Sequence, residues 1–331
     1  MQLIITVDAE ADNQWDATAP QTVDNLATLE RFQQLCDEHG FPPTYLCTYE
    51  VVTSPAFERT MGPAVRDGRA EAGAHLHPWS TPPFDSDWDG NGTARPYPLE
   101  LPSSLLADKL ATLTSAIAER IGGSPTSYRA GRWGFSAPQI PLLVALGYEV
   151  DCSVTPGVSW RDDPGLRHGG ADFTRAGVEP YELAADDVCR PGHSGLLEVP
   201  VTILHANPVM RASGWLRRTY GRHRQAAVWR AANRLFGLAP QWLRPYPHMT
   251  PERLIAVFET AQRLRLPVME MMLHSTELVP RDPRSAAVTT AQRLDGLDRV
   301  LAHLAAHGVK GVTLTAFARA YRAAADAPDS G

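Results

Sequence analysis

Short apolar runs alternate along this chain with longer segments whose apolar positions recur every three or four residues. The run at 3–7 precedes 22–39, where Val23, Leu26, Leu29, Phe32 and Cys36 mark one helical face. A run at 44–47, a helical patch near 55–67 and the strand-like Ala70–His77 follow. Leu106, Leu110, Leu113, Ile117 and Ile121 then predict a long helix, with Ser103 or Ser104 as its N-cap. Further runs lie at 126–129, 148–154, 196–203, 267–273 and 309–315, and Leu294, Leu297, Leu301 and Leu304 form a helical face closed by Gly308. Strand-helix alternation on this scale predicts an α/β fold with parallel strands, and seven or eight such units predict a closed barrel.

Length leaves room for one large barrel or two ordinary domains among the 331 residues. No internal repeat or linker-like shift divides the chain, so we read 1–325 as one domain and 326–331 as a frayed tail. The formal net charge of −6 argues against nucleic acid as the main partner. Thr6-Val7-Asp8 ends the first apolar run before it reaches the length of a signal segment, and no stretch approaches the ~20 apolar residues of a membrane span. Cys36, Cys47, Cys152 and Cys189 are widely spaced, without a C-x-x-C pair. The reading is a cytoplasmic protein with no transmembrane segment.

Polar residues gather where the predicted strands end, the functional face of parallel α/β folds. Asp8 and Glu10 are two apart, so a continuing strand turns both to one side, where they share a proton or a cation. His75 and His77 repeat that spacing with imidazoles, a pattern suited to a metal. Tyr128-Arg129-Ala130-Gly131-Arg132-Trp133-Gly134 sets two cations, two glycines and an indole at the next strand end. There Arg129 suits a carboxylate, Trp133 suits a sugar ring, and the glycines let backbone amides approach a ligand. Asp151 follows the next strand, and His274 closes a late apolar run.

In their order, the early T-x-D, the G-x-H-x-H block, the R-x-x-R-W block, the D-x-S segment and the late L-H-S resemble the motifs of the NodB-homology polysaccharide deacetylases, carbohydrate esterase family 4. His75-Leu76-His77-Pro78-Trp79, Arg129-Ala130-Gly131-Arg132 and Leu273-His274-Ser275 are closest to its WalW-like branch. The resemblance spans about residues 3–317 and implies a distorted (β/α) barrel of about seven parallel strands, with a divalent metal, most often Zn²⁺, or Co²⁺, at the strand ends. It implies that Asp8 is the catalytic base, that Glu10, His75 and His77 hold the metal, that Arg129 orients the base, and that His274 protonates the leaving amine. The family's adjacent Asp pair is here Asp8-Ala9-Glu10, and its second histidine, four residues after the first, is here Trp79. His77 takes that place because the strand period sets it beside His75. The fourth motif is degenerate, and Asp151 is the expected partner of His274, with Asp162 as the alternative.

The expected substrate is a carbohydrate bearing an acyl group. A backbone amide near Arg132 or Trp133 is expected to meet the oxyanion. Trp79, Trp88 and Trp160 occupy long loops after strand ends, where an indole suits a pyranose. Between Val199 and Pro251 stand eight arginines and no acidic residue. We read about 205–250 as an Arg-rich helical insertion whose Arg217, Arg218 and Arg222 grip a phosphate-linked carrier, because on a single helical wheel these arginines spread too widely for membrane docking. The rival readings are an amidohydrolase for a small non-sugar amide, a glycoside hydrolase using paired carboxylates such as Asp8 and Glu270, and an inactive sugar-binding barrel.

Overall fold

The first apolar run folds as β1 (Gln2–Ala9), buried from Leu3 onward. In this computed structural model, which describes residues 1–16, 20–90, 95–246, 249–279 and 288–326, the following strands are β2 (Pro43–Cys47), β3 (Glu71–Leu76), β4 (Ser127–Ala130), β5 (Val150–Asp151), β6 (Tyr181–Ala184), β7 (Asp187–Pro191), β8 (Leu197–Glu198), β9 (Ile203–Leu204), β10 (Gln241–Trp242), β11 (Val268–His274) and β12 (Lys310–Gly311). The α-helices are α1 (Thr28–His39), α2 (Tyr49–Thr53), α3 (Pro55–Thr60), α4 (Gly62–Arg66), α5 (Ser103–Ile121), α6 (Gln139–Ala145), α7 (Pro208–Ala212), α8 (Gly214–His223), α9 (Ala227–Phe236), α10 (Pro251–Arg263), α11 (Thr290–Ala306) and α12 (Leu314–Asp326).

The main ladder runs β11-β1-β2-β3-β4-β5-β8, all parallel, with β12 beside β1. Beyond β8 the sheet meets β11, among the described residues, through Thr202 and not through a ladder. Thr202 donates its N–H to the Glu270 carbonyl (3.2 Å) and accepts the Glu270 N–H on Oγ1 (2.8 Å). This is the distorted barrel the sequence predicts. An antiparallel hairpin, β6 with β7, extends the sheet past β8, which the run-by-run reading missed.

Strand parity sorts the side chains into two cores. Leu3, Ile5 and Val7 join the large core under the covering helices. Ile4, Leu46, Val150, Leu197 and Val268, one from each of five strands, form a second core inside the curled sheet, closed by Leu314 and Phe317 of α12. The apolar inner layer ends one step up each strand, at Thr6 on β1 and Glu270 on β11. The next inward positions carry the candidate chemistry.

Two local expectations fail for identifiable reasons. The run at 309–315 divides between β12 and the start of α12. Neither Ser103 nor Ser104 caps α5: Pro102 precedes its first turn and Ser103 is already helical. The arginine-rich stretch is three helices, α7 to α9, closed at its neck by antiparallel pairing of β9 with β10. The helix α12 runs to Asp326, and the rest of the expected frayed tail lies outside the described residues.

Candidate active site

Register brings the polar strand ends together. Asp8 pairs across the ladder with His274, and His75 with Arg129. Asp8, Glu10, His75, His77, Arg129 and His274 all line one cleft of about 410 Å³.

Arg129 is wholly buried beneath this cleft and each part of its guanidinium is used. Nη1 donates to Asp8 Oδ1 (2.6 Å), Nη2 to Glu270 Oε1 (2.7 Å) and Thr6 Oγ1 (2.9 Å), and Nε to the Cys152 carbonyl (3.0 Å). Burial pushes the Asp8 carboxyl up, but Arg129, with His75 and His274, outweighs it and holds the group below its usual range. For Glu270 burial prevails over Arg129, and its carboxyl is raised. Oδ2 of Asp8 is left facing His75 Nε2 (3.8 Å) and His274 Nε2 (3.7 Å).

Glu10, His75 and His77 offer donor atoms within 4.8 Å of one another. His75 Nδ1 lies 3.0 Å from the Arg129 carbonyl, which can only accept, so the ring proton sits there. Its Nε2 lone pair then faces Glu10 Oε1 at 2.9 Å, with His77 Nε2 3.4 Å from the same oxygen. A lone pair facing a carboxylate oxygen is repelled unless a proton or a cation lies between them, and a backbone carbonyl on Nδ1 is the usual outer support of a metal-ligating imidazole. The donor set fits a divalent ion. Asp8, Glu10 and His274 form a second group of donors that shares Glu10. Burial raises the Glu10 carboxyl, yet His274, His75 and His77 together hold it well below the ordinary range. Gly131 is required here because a side chain at this position would meet the His77 ring at 2.3 Å and the Leu76 carbonyl at 2.4 Å. The missing side chain therefore makes room for the histidine ring.

His274 does not meet Asp151. Val150 and Cys152 face the inner core, so Asp151 between them turns to the opposite side. There it accepts from Ser153 N–H (2.9 Å) and Oγ (2.7 Å) and pairs with Glu198. Burial pushes both carboxyls up, Glu198 well above its usual range because Asp151 is beside it. The neighbours of His274 are Arg244 and Glu277. Arg244 Nη2 donates to His274 Nδ1 (2.5 Å) and to Glu277 Oε1 (2.8 Å), and Glu277 Oε2 accepts the His274 backbone N–H (2.9 Å). An arginine can only donate, so Nδ1 is the acceptor and the ring proton sits on Nε2, which faces Asp8 and Glu10. Burial raises Glu277, but Arg244 and His274 bring it down to about 2.

A polysaccharide deacetylase from Mycobacterium smegmatis, so assigned, superposes on this chain with a TM-score of 0.53 at 18% identity, covering 99% of this chain and 92% of that one. A protein described as a glycoside hydrolase/deacetylase from Parabacteroides distasonis gives 0.58 at 12% identity, over 97% of this chain and 71% of its own. An allantoinase gives 0.51 at 14% identity, over 99% and 91%. The chain has the polysaccharide deacetylase fold. No protein-family profile matches the sequence, and no curated protein matches it significantly.

Within this deacetylase fold the cleft is walled by Trp15, Tyr97, Trp133 and Trp160. Arg132 and Trp133 both have left-handed backbones, with φ of 55° and 59°. Such conformations cost about 1–3 kcal/mol each in non-glycine residues and gather at functional sites. Arg132 lies over Tyr97 at 4.0 Å and donates to the Pro164 carbonyl (2.9 Å), tying two rim loops together. Trp79 is not on the wall. It is buried behind His77, stacked at 4.4 Å between ring centroids, while Trp15 takes the exposed place in front. Nor do Arg217, Arg218 and Arg222 line the cleft. Arg217 donates to the Met210 carbonyl (3.0 Å), Arg222 pairs with Asp172 (3.1 Å), and Arg217 and Arg218 line a separate hollow beside His205. Sequence reading missed Arg244 and Trp15. Arg244 arrives from the end of the insertion, and nothing local marks it. Glu277, three residues after His274 in a helix-opening turn, carried a usable signal in its capping-box spacing.

Proposed function

We propose that this chain is a metal-dependent hydrolase that removes an acyl group from nitrogen or oxygen on a sugar. The observation that carries the reading is the convergence of Asp8, Glu10, His75, His77 and His274 in one aromatic-walled cleft. Glu10, His75 and His77 would hold a divalent ion, with zinc or cobalt suited to the donors. When bound, such an ion supplies Lewis acidity toward the scissile carbonyl.

Asp8 is the proton acceptor for the attacking water. Arg129 keeps it ionised and fixes Oδ1, leaving Oδ2 toward the cleft. His274 presents Nε2–H to the same space, and Arg244, donating to Nδ1, strengthens that N–H as a donor. It gives a proton to the leaving group as the C–N or C–O bond breaks, and Asp8, 3.7 Å away, returns the proton taken from water. Trp133 and Trp160, 6.4 Å apart and 16° from parallel, make a flat wall suited to a pyranose face. Trp133 and Arg132 are thus the substrate-contact residues this reading retains. A phosphate-linked carrier gripped by Arg217, Arg218 and Arg222 would have to reach them outside the cleft.

A second reading, hydrolysis of a small cyclic or linear amide without sugar, draws support from the allantoinase among the similar structures. The test is release of acetate from a panel of N- and O-acetylated sugars, beside hydrolysis of small ureides and amides. Activity on acetyl sugars that chelation abolishes and Zn²⁺ or Co²⁺ restores is the expected result. Acetate release that survives chelation would contradict metal dependence, and cleavage of glycosidic bonds without acetate release would point to paired-carboxylate glycosidase chemistry instead.

A further inference from the structure

Ten large apolar side chains are exposed among the described residues, and five of them lie between Val209 and Phe236. Val228 is 71% exposed, Leu235 77%, Phe236 66%, Trp215 65% and Val209 59%. Such clustering in an insertion away from the cleft calls for a physical cause, because exposed apolar surface of this density marks a contact.

The helix α9 gives the clearest pattern. Val228, Ala231, Ala232 and Leu235 stand at i, i+3, i+4 and i+7, a single apolar stripe widened by Phe236. Arg230 and Arg234, four apart, run along one edge of that stripe, and neither forms an ion pair among the described residues. None of the ten residues of α9 is buried. The helix is nonetheless anchored: Trp229 packs edge-on against Tyr220 at 5.8 Å, and Asn207 Nδ2 donates to the Phe236 carbonyl (2.9 Å). That last bond ties the start of α7, which carries Val209, to the end of α9. The wheel that scatters the arginines of 205–250 treats the segment as one helix. The structure divides it in three, and on α9 alone the cations and the apolar stripe separate.

We infer that α9, with Val209 at its end, docks this protein on an anionic lipid bilayer. An apolar stripe flanked by arginine, in a stretch from Val199 to Pro251 with no acidic residue, complements a negatively charged interface. A second copy of the chain is a poorer occupant. Two-fold pairing of this face would bring Arg230 and Arg234 near their counterparts with no carboxylate in the segment to offset them. The inference does not rest on the catalytic reading, since none of these residues lines the cleft.

The test is cosedimentation of the full chain with vesicles of phosphatidylcholine containing roughly 30% phosphatidylglycerol, and with phosphatidylcholine alone. The wild type should partition onto the anionic vesicles and be released as salt rises, because screening weakens the arginine contribution. Leu235→Glu with Phe236→Glu, and separately Arg230→Glu with Arg234→Glu, should each lower the partition coefficient at least ~10-fold. These positions are exposed, so the far-ultraviolet circular dichroism should be unchanged. Absence of wild-type binding to anionic vesicles, equal and salt-insensitive binding to both vesicle types, or variants that bind as the wild type does would each overturn the inference. So would a wild-type dimer in solution that Leu235→Glu dissociates, which would assign the face to a second copy.

Discussion

Arg244 donates a 2.5 Å hydrogen bond to Nδ1 of His274, the ring nitrogen turned away from the cleft. This contact fixes the tautomer with the ring proton on Nε2, and Glu277, which accepts from Arg244 at 2.8 Å, holds the arginine in place. Arg244→Ala should free the ring to take the other tautomer and lower the turnover number by up to ~10²-fold with little change in KM, as expected for an interaction used in the transition state. A turnover number equal to that of the wild type would remove this tautomer from the proton-transfer step.

Asp8 has one oxygen engaged by Arg129 and the other open to the cleft. Asp8→Asn keeps the shape, and Glu270 still pairs Arg129, so fold and metal content should persist. The turnover number should fall by ~10²–10⁴, the range for loss of one general acid–base group. Loss of metal from this variant would instead make Asp8 a ligand, as its place in the second donor group allows.

His205 supplies a pH test of stability far from the cleft. Burial, aided by nearby Arg217, lowers it from its ordinary 6.5 to about 4, while its bond to the Leu238 carbonyl opposes the shift. Between those values the unfolded chain binds the proton that the folded chain refuses. Stability is therefore full above about pH 7 and is lost as pH falls through 6.5 toward 4. His205→Gln keeps an amide donor for Leu238 and cannot titrate. Denaturant unfolding should show the variant losing about 2 kcal/mol less than the wild type between pH 7 and pH 4.5. Parallel losses would mean that His205 is freely protonated in the folded state.

Much of this architecture is legible in the sequence because parallel strands covered on both faces read as unbroken apolar runs. The ends of those runs name Asp8, His75, Arg129 and His274 directly. Period two also places His77 beside His75, although the family pattern would put the second histidine at the position of Trp79. The same period misleads at Asp151. There the strand is only Val150–Asp151, and proximity to a strand end says nothing about which face a side chain takes. Arg244 is invisible for a different reason. It belongs to the insertion by sequence and to the cleft by tertiary return, through the β9–β10 neck and its bonds to Glu277. The arginine run is plain in the sequence, but its meaning depends on where the helices break, and that is set by packing against the barrel.

The central claim is that Glu10, His75 and His77 form a divalent metal site, and metal content tests it most directly. Inductively coupled plasma mass spectrometry of purified protein should find about one zinc or cobalt equivalent per chain in the wild type and in Trp79→Phe. It should find little in His77→Ala or Glu10→Ala. A full equivalent retained by His77→Ala would contradict the account.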